Sequence, residues 1–148
     1  MTIKEVDLTE ELLEQMISLS EDWETENSSY GYKKNTPDDI EGNRVFVAFE
    51  DCLIIAYLFG HEEVAAKETP IYPSGANCFE IEELYVKPQF RNKGIGKALF
   101  QYAEREIANK SDMILLGTAT KNFRAILHFY IDELGMEFWS ARLFKRIK

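Results

Sequence analysis

The order of apolar patterns along this 148-residue chain predicts a mixed α+β fold, one domain with a central mixed sheet flanked by helices. Two observations carry that prediction. Residues 44–50 and 53–59 are β-rich runs separated only by Asp51-Cys52, which reads as a hairpin and makes the N-terminal part of the sheet antiparallel. From residue 79 onward, strand-like and helix-like runs alternate, and strands joined by helical crossovers lie parallel. No repeat, low-complexity tract or linker divides residues 1–148.

Residues 3–6 read as a short first strand. Asp7 or Thr9 can cap a helix whose Leu12, Leu13, Met16 and Ile17 share one face. Residues 21–43 are rich in turn formers and read mostly as loop, with a short helix starting near Trp23. The hairpin follows, then a connection over 60–77, then a strand over 79–86. Ile95, Ala98, Leu99, Tyr102, Ala103 and Ile107 make one apolar helical stripe. Residues 113–119 read as a buried strand. Asn122 caps a helix carrying Ala125, Ile126, Phe129, Tyr130 and Leu134, and Gly135 ends it. Residues 137–147 read as a last, aromatic strand.

Composition narrows the function classes. Hydrophobic residues make up 45% of the chain, enough to fold around a core rather than stay disordered. The apolar run 53–59 is far too short to cross a bilayer, and the acidic, amphipathic N-terminus has no signal-peptide core, so a cytoplasmic protein is expected. Cys52 and Cys78 lack neighbours at metal spacing and are expected as buried, reduced thiols. The net charge of −9 argues against nucleic acid. That charge is uneven: 5 basic against 17 acidic side chains in residues 1–75 (net −12), and 12 against 9 in residues 76–148 (net +3). Two sites of opposite sign are expected, an anionic ligand in the second half and a cationic one drawn to the first.

The stretch VKPQFRNKGIGKAL, residues 86–99, sharpens the anionic half. A strand that ends in a glycine-rich turn and feeds a helix aims free N–H groups and the positive end of the helix dipole at one point. Gly94 and Gly96 have no side chain to keep a ligand away, and Arg91, Lys93 and Lys97 add positive charge. Neither the nucleotide loop G-x-x-x-x-G-K-[ST] nor a complete G-x-G-x-x-G is present.

The arrangement Val86-x-Pro88-x-x-Arg91-x-x-Gly94-x-Gly96 after a strand and before an amphipathic helix resembles the acyl-CoA-binding signature of the GNAT superfamily of N-acetyltransferases. Asn122 with Ala125 three residues on, and Leu134-Gly135, resemble the family's second element, with Met136 where an aromatic is usual. The resemblance implies acetyl-CoA as cosubstrate, no metal, and direct transfer to an amine. It implies that main-chain groups of Leu84, Tyr85 and Val86 pair with the pantetheine arm. Amides of Arg91, Asn92, Lys93, Gly94, Ile95 and Gly96 would hold the pyrophosphate, and Asn122 would touch the cofactor arm. Lys97 and Arg124 are either outer-phosphate contacts or solvated cations. Relatives often pair their terminal strands, so a homodimer is a further expectation.

For the chemistry, strand 79–86 offers Glu80, Glu82 and Glu83. Alternation puts Glu80 and Glu82 on one face and Glu83 on the other unless a bulge intervenes. Polyamine acetyltransferases of the family carry an acid at the place of Glu82, which makes it the first choice as base, with Glu83 second. The tyrosine that returns a proton to the thiolate falls one residue late, at Tyr130, behind Phe129; a one-residue adjustment of the helix, or water, would serve. His61 and His128 read as surface or satisfied histidines. Trp23, Glu24, Glu26 and Tyr30, with Glu82, are the expected contacts of a cationic small-molecule amine, aminoglycoside- or polyamine-like. The alternatives are a protein or peptide amine, or an idle acetyl-CoA-binding module.

Overall fold

Thr9 starts the first helix by accepting the Leu12 amide on its hydroxyl at 3.2 Å, satisfying one of the orphan donors of a helix N-terminus. The computed structural model describes residues 1–148. Its elements are β1 (Thr2–Val6), α1 (Glu10–Glu26), α2 (Pro37–Ile40), β2 (Arg44–Glu50), β3 (Leu53–Val64), β4 (Asn77–Val86), α3 (Ile95–Ile107), β5 (Met113–Leu115) and α4 (Phe123–Leu127). A π-helical turn over His128–Glu133 continues α4.

The strands lie in chain order in one five-stranded sheet. The first three pairings are antiparallel; β4 and β5, joined through α3, are parallel. Strand alternation sends two sets of side chains to opposite faces. Phe46, Leu58 and Phe79 pack with Leu99, Phe100 and Ala103 of α3. Val45, Val47, Tyr57 and Phe59 pack with Met16 and Leu19 of α1 and with Ile40 of α2. Each such large apolar side chain, once fully buried, contributes about 1.5–3 kcal/mol.

Four sequence expectations give way. α1 runs on through Glu26 where loop was expected, closed by Asn27 in the left-handed region at φ 53°. β3 reaches Val64, past the expected end of the hairpin. β5 is only Met113–Leu115, because its chain then turns away to meet the 28–30 loop. Residues 137–148 form no strand: they are exposed and their main chain finds no partner. Cys52 is also exposed, at the tip of the hairpin, whereas Cys78 is buried and free. No helix is long and apolar enough to cross a membrane.

Candidate active site

A β-bulge sets the site. Phe59 pairs with Glu83 and Gly60 with Ile81, which leaves Glu82 as the extra residue of β4. Gly60 is needed opposite the bulge, since a Cβ there would stand 2.1 Å from the Glu80 carbonyl oxygen. The bulge reverses which residues face α3: Phe79 and Ile81 before it, Leu84 and Val86 after it. Glu83 therefore points to the α1 face, together with Tyr85.

Glu83 is the deeply placed carboxylate. Its Oε1 accepts from the Tyr57 hydroxyl at 2.8 Å, the Tyr32 hydroxyl at 2.9 Å and the Asn35 amide at 2.9 Å. Burial raises its pKa, against the three donors that pull it down. Burial and the Glu83 charge push both tyrosines up. The network ties the α1–α2 loop to the sheet.

Glu82 instead looks outward into a cavity of about 690 Å³. The cavity's acids are Glu63 from β3 with Glu80 and Glu82 from β4; Lys67 is its lysine, and His61, Tyr72 and Trp139 complete the polar and aromatic wall. Tyr72 and Trp139 meet edge to face at 5.9 Å. His61 Nδ1 lies 3.5 Å from Glu82 Oε1, and its Nε2 lies 3.9 Å from Glu63 Oε2. Glu80 has a raised pKa, first from burial and then from Glu82 and Glu63, with His61 opposing.

The same cavity reaches Leu115–Gly117, where β4 and β5 part. Their pairing ends at Glu80–Leu115. Beyond it the second arm is held by the loop after α1: the Tyr30 amide donates to Ala119 O at 2.9 Å and the Lys121 amide to Ser28 O at 2.8 Å. The Lys87 amide donates to Ile55 O of β3 at 2.9 Å, which fixes the parity of the end of β4. Tyr85 is thereby turned to β3, and Leu84 and Val86 present their main-chain groups to the open edge.

At the end of that edge lies the glycine turn. The amides of residues 92–97 donate to no main-chain acceptor, while the Arg91 amide is engaged by Pro88 O at 3.2 Å. Gly94 caps α3 in the left-handed conformation, φ 79°. Gly96 marks a close approach, since a Cβ there would meet Val86 Cγ2 at 3.3 Å and Phe129 Cζ at 3.4 Å. Unpaired amides at the positive end of a 13-residue helix suit a diphosphate. The Arg91 guanidinium turns away from the turn. It donates to Val86 O at 2.8 Å and to both Glu26 oxygens at 2.9 and 3.0 Å, with Tyr85 donating to Glu26 at 2.6 Å.

The remaining expected residues are more scattered. Asn122 starts α4 without a side-chain cap. The π-helical turn supplies an extra residue in this helix. Phe129 stands at Gly96, and Tyr130 packs on Phe100 with ring centroids 6.3 Å apart. Burial alone pushes the Tyr130 phenol up to about 12. Trp23 stacks on Tyr32 at 4.2 Å and on Tyr85 at 5.3 Å. Glu24 accepts the Lys34 amide, and Tyr30 packs edge-on to Phe144. Of the five acceptor contacts expected, Glu82 alone lines the large cavity. Glu63, His61, Tyr72 and Trp139 were not singled out for it, and only the period-2 placement of His61 and Glu63 on one strand hints at them.

Residues 7–136 match the Acetyltransferase (GNAT) family. The chain belongs to this family, which makes it an acetyl-CoA-dependent N-acetyltransferase. Solved structures agree on the fold. The aminoglycoside N-acetyltransferase AAC(6')-Iy in complex with CoA is similar with a TM-score of 0.66 at 18% identity, covering 99% of each chain. The ribosomal-protein-alanine N-acetyltransferase of Brucella melitensis biovar Abortus 2308 gives 0.66 at 15%, covering 99% of this chain and 100% of that one. A putative acetyl transferase of Pyrococcus furiosus gives 0.68 at 17%, covering 99% of both. No curated protein sequence matches the chain significantly.

Proposed function

We propose that the protein moves the acetyl group of acetyl-CoA directly to a primary amine of a small polycationic molecule, aminoglycoside- or polyamine-like, acting in the cytoplasm as a homodimer. The observation that carries this reading is the acidic cavity opening where β4 and β5 part, on the strand edge that leads to the turn of unpaired amides.

Acetyl-CoA supplies the activated acetyl thioester. The amides of residues 92–97 would hold its diphosphate, Leu84 and the Val86 amide its pantetheine arm, the Val86 carbonyl being taken by Arg91, and Asn122 the same arm from α4. An alkyl ammonium has a pKa near 10.4, so freeing its lone pair at pH 7 costs about 4.6 kcal/mol. Glu82 lies where the strands separate and takes that proton. The acids of the cavity also favour the charged amine, which opposes deprotonation. Glu80 therefore holds an ammonium group that does not react, and a bound cation offsets the repulsion from Glu82 and Glu63 that adds to burial in raising it. Tyr72 and Trp139 offer faces for a sugar ring or an alkyl cation. The Leu84 amide, on the open edge just after the bulge, stabilises the oxyanion. Tyr130 returns a proton to the thiolate. Its phenol, at about 12, is a weaker acid than a thiol near 8.5, so water must replace the proton as it leaves. Glu83 is the second choice as base, and its three donors favour a role in fixing the bulge.

A protein or peptide amine is the second reading. Glu63 and Lys67 on the cavity rim are exposed, which leaves room for a chain to run outward. Thiol release from acetyl-CoA, measured with panels of aminoglycosides, polyamines and peptides, tests both. Polycationic small molecules are expected to turn over fastest. Glu82→Gln is expected to lower kcat about 100-fold or more with CoA affinity retained. Wild-type kcat in that variant would overturn the assignment of the base. Turnover of peptides alone would overturn the acceptor class. CoA binding without turnover of any amine would leave an idle module.

A further inference from the structure

Acetylation of an ammonium releases one proton per turnover. The ammonium nitrogen loses two protons as the C–N bond forms and the C–S bond breaks; the departing thiolate takes one to become the product thiol, and the other must reach solvent. If Glu82 is the base, as proposed above, it must be emptied of that proton before the next amine arrives. An acceptor that fills the cavity covers the face of Glu82 on which water would otherwise do this.

His61 lies on the same cavity wall, between Glu82 and the rim at Glu63. Its ring nitrogens face two different carboxylates, Nδ1 toward Glu82 at 3.5 Å and Nε2 toward Glu63 at 3.9 Å. Side-chain exposure is 46% for Glu82, 40% for His61 and 63% for Glu63, so Glu63 is the most open member of the row and its outlet to solvent. The neighbouring acid Glu62 is engaged elsewhere, accepting from Arg44 at 2.7 Å. The charged or titratable groups that share the cavity with the imidazole are Glu63 on β3, Glu80 and Glu82 on β4 and Lys67 on the β3–β4 connection, with Tyr72 and Cys78 in the same wall. The segments from β5 and from residue 139 add only Leu115, Leu116, Gly117 and Trp139.

We infer that His61 is a proton-relay and positioning residue of the transfer reaction, carrying the proton taken by Glu82 through its imidazole to Glu63 and solvent. Gaps of 3.5 and 3.9 Å are too long for hydrogen bonds, so rotation of these half-exposed side chains closes them first; the Glu82 carboxylic acid then gives its proton to Nδ1 as the Nε2 proton leaves to Glu63 and then to water. Glu82 is again a carboxylate and the imidazole is neutral; exchange with water restores the starting tautomer. No electron transfer or co-reactant is involved. The imidazole also stands between the two carboxylates, 3.5 Å from Glu82 and 3.9 Å from Glu63.

The test uses the full chain and the fastest amine of the panel. His61→Ala and His61→Gln are expected to lower kcat about tenfold or more while the acceptor KM stays within about twofold and CoA binding is kept. Added imidazole is expected to restore kcat in His61→Ala, and kcat in both variants becomes dependent on buffer concentration. The double variant His61→Ala/Glu82→Gln is expected to be no slower than Glu82→Gln alone, since both lie on one proton path. Wild-type kcat in the His61 variants, or a loss that neither imidazole nor buffer repairs, overturns the relay. If Glu82→Gln is slow and the His61 variants are not, the relay fails and the base stands. If Glu82→Gln keeps wild-type kcat, the base fails and the relay with it. His61→Gln preserves side-chain volume, so a folding defect confined to His61→Ala leaves the buffer test in force.

Discussion

Glu83 gathers three hydrogen-bond donors on one carboxylate oxygen, from Tyr57, Tyr32 and Asn35. Hydrogen bonds to a charged group contribute about 1.5–3 kcal/mol each when well formed, yet burial outweighs them and its pKa is raised. An acid raised by folding binds its proton more tightly in the folded state. Its contribution to stability is complete below the unfolded value of about 4.3 and is lost as pH climbs through the folded value. Glu80, raised by burial and by Glu82 and Glu63, acts in the same direction. Glu83→Gln keeps an acceptor oxygen for the donors and removes the ionisation. Urea midpoints measured from pH 4 to pH 7 should show the variant gaining on the wild type as pH rises. A gap between the two proteins that does not change with pH would refute the raised value. The sequence favours Glu82 over Glu83 through the family resemblance alone and does not reveal what separates them. Both are glutamates on one strand, and the donors that immobilise Glu83 come from positions 32, 35 and 57.

The bulge in β4 is the element on which the carboxylates depend, and Gly60 on β3 is its counterpart. A methyl group at Gly60 would fall 2.1 Å from the Glu80 carbonyl oxygen and 2.8 Å from the Phe79 ring. Neither can yield freely, one being backbone and the other a fully buried ring. Gly60→Ala is expected to cost about 1–3 kcal/mol, read as a lowered urea midpoint, and to reduce kcat by displacing Glu82. An unchanged midpoint would mean that the strands do not approach this closely. Elements with local causes were legible in the sequence. The glycine turn, the stripe of α3 and the stop at Gly135, found at φ 75°, follow from residues adjacent in the chain. The end of α1 was not, because Asn27 adopts the left-handed cap that glycine usually supplies. The expected last strand failed for a different reason. Phe138, Trp139, Leu143, Phe144 and Ile147 are strand-like in type but do not alternate, and a strand without a partner leaves its main chain unpaired. The cavity was least legible, since Glu63, Tyr72, Glu82 and Trp139 meet only through sheet register and a return of the chain.

Over the whole molecule the charge of −9 sits unevenly, with net −12 in residues 1–75 and +3 beyond. Folding does not keep the halves apart: the acidic cavity takes Glu63 from the first and Glu80 and Glu82 from the second. Lys93 and Lys97 remain beside the turn of free amides. A polycation approaching this molecule meets an attractive field at long range and a focused one at the cavity, whereas the anionic cosubstrate is repelled at long range and attracted only near the turn. Salt acts most strongly on the long-range part, because the screening length is about 30 Å at 0.01 M and about 10 Å at 0.1 M. For a polyamine acceptor, kcat/KM is therefore expected to fall several-fold between those ionic strengths, while kcat, which reports the bound complex at short range, moves little. A monoamine of similar reactivity should show a shallower fall, since the steering energy scales with the charge carried. The corresponding value for acetyl-CoA should change less, its two opposing contributions being screened together. Stopped-flow or steady-state thiol release across a salt series at fixed pH separates these slopes. Equal slopes for the monoamine and the polyamine would show that the acidic cavity does not draw the acceptor in, and the polycationic substrate class would lose its electrostatic basis.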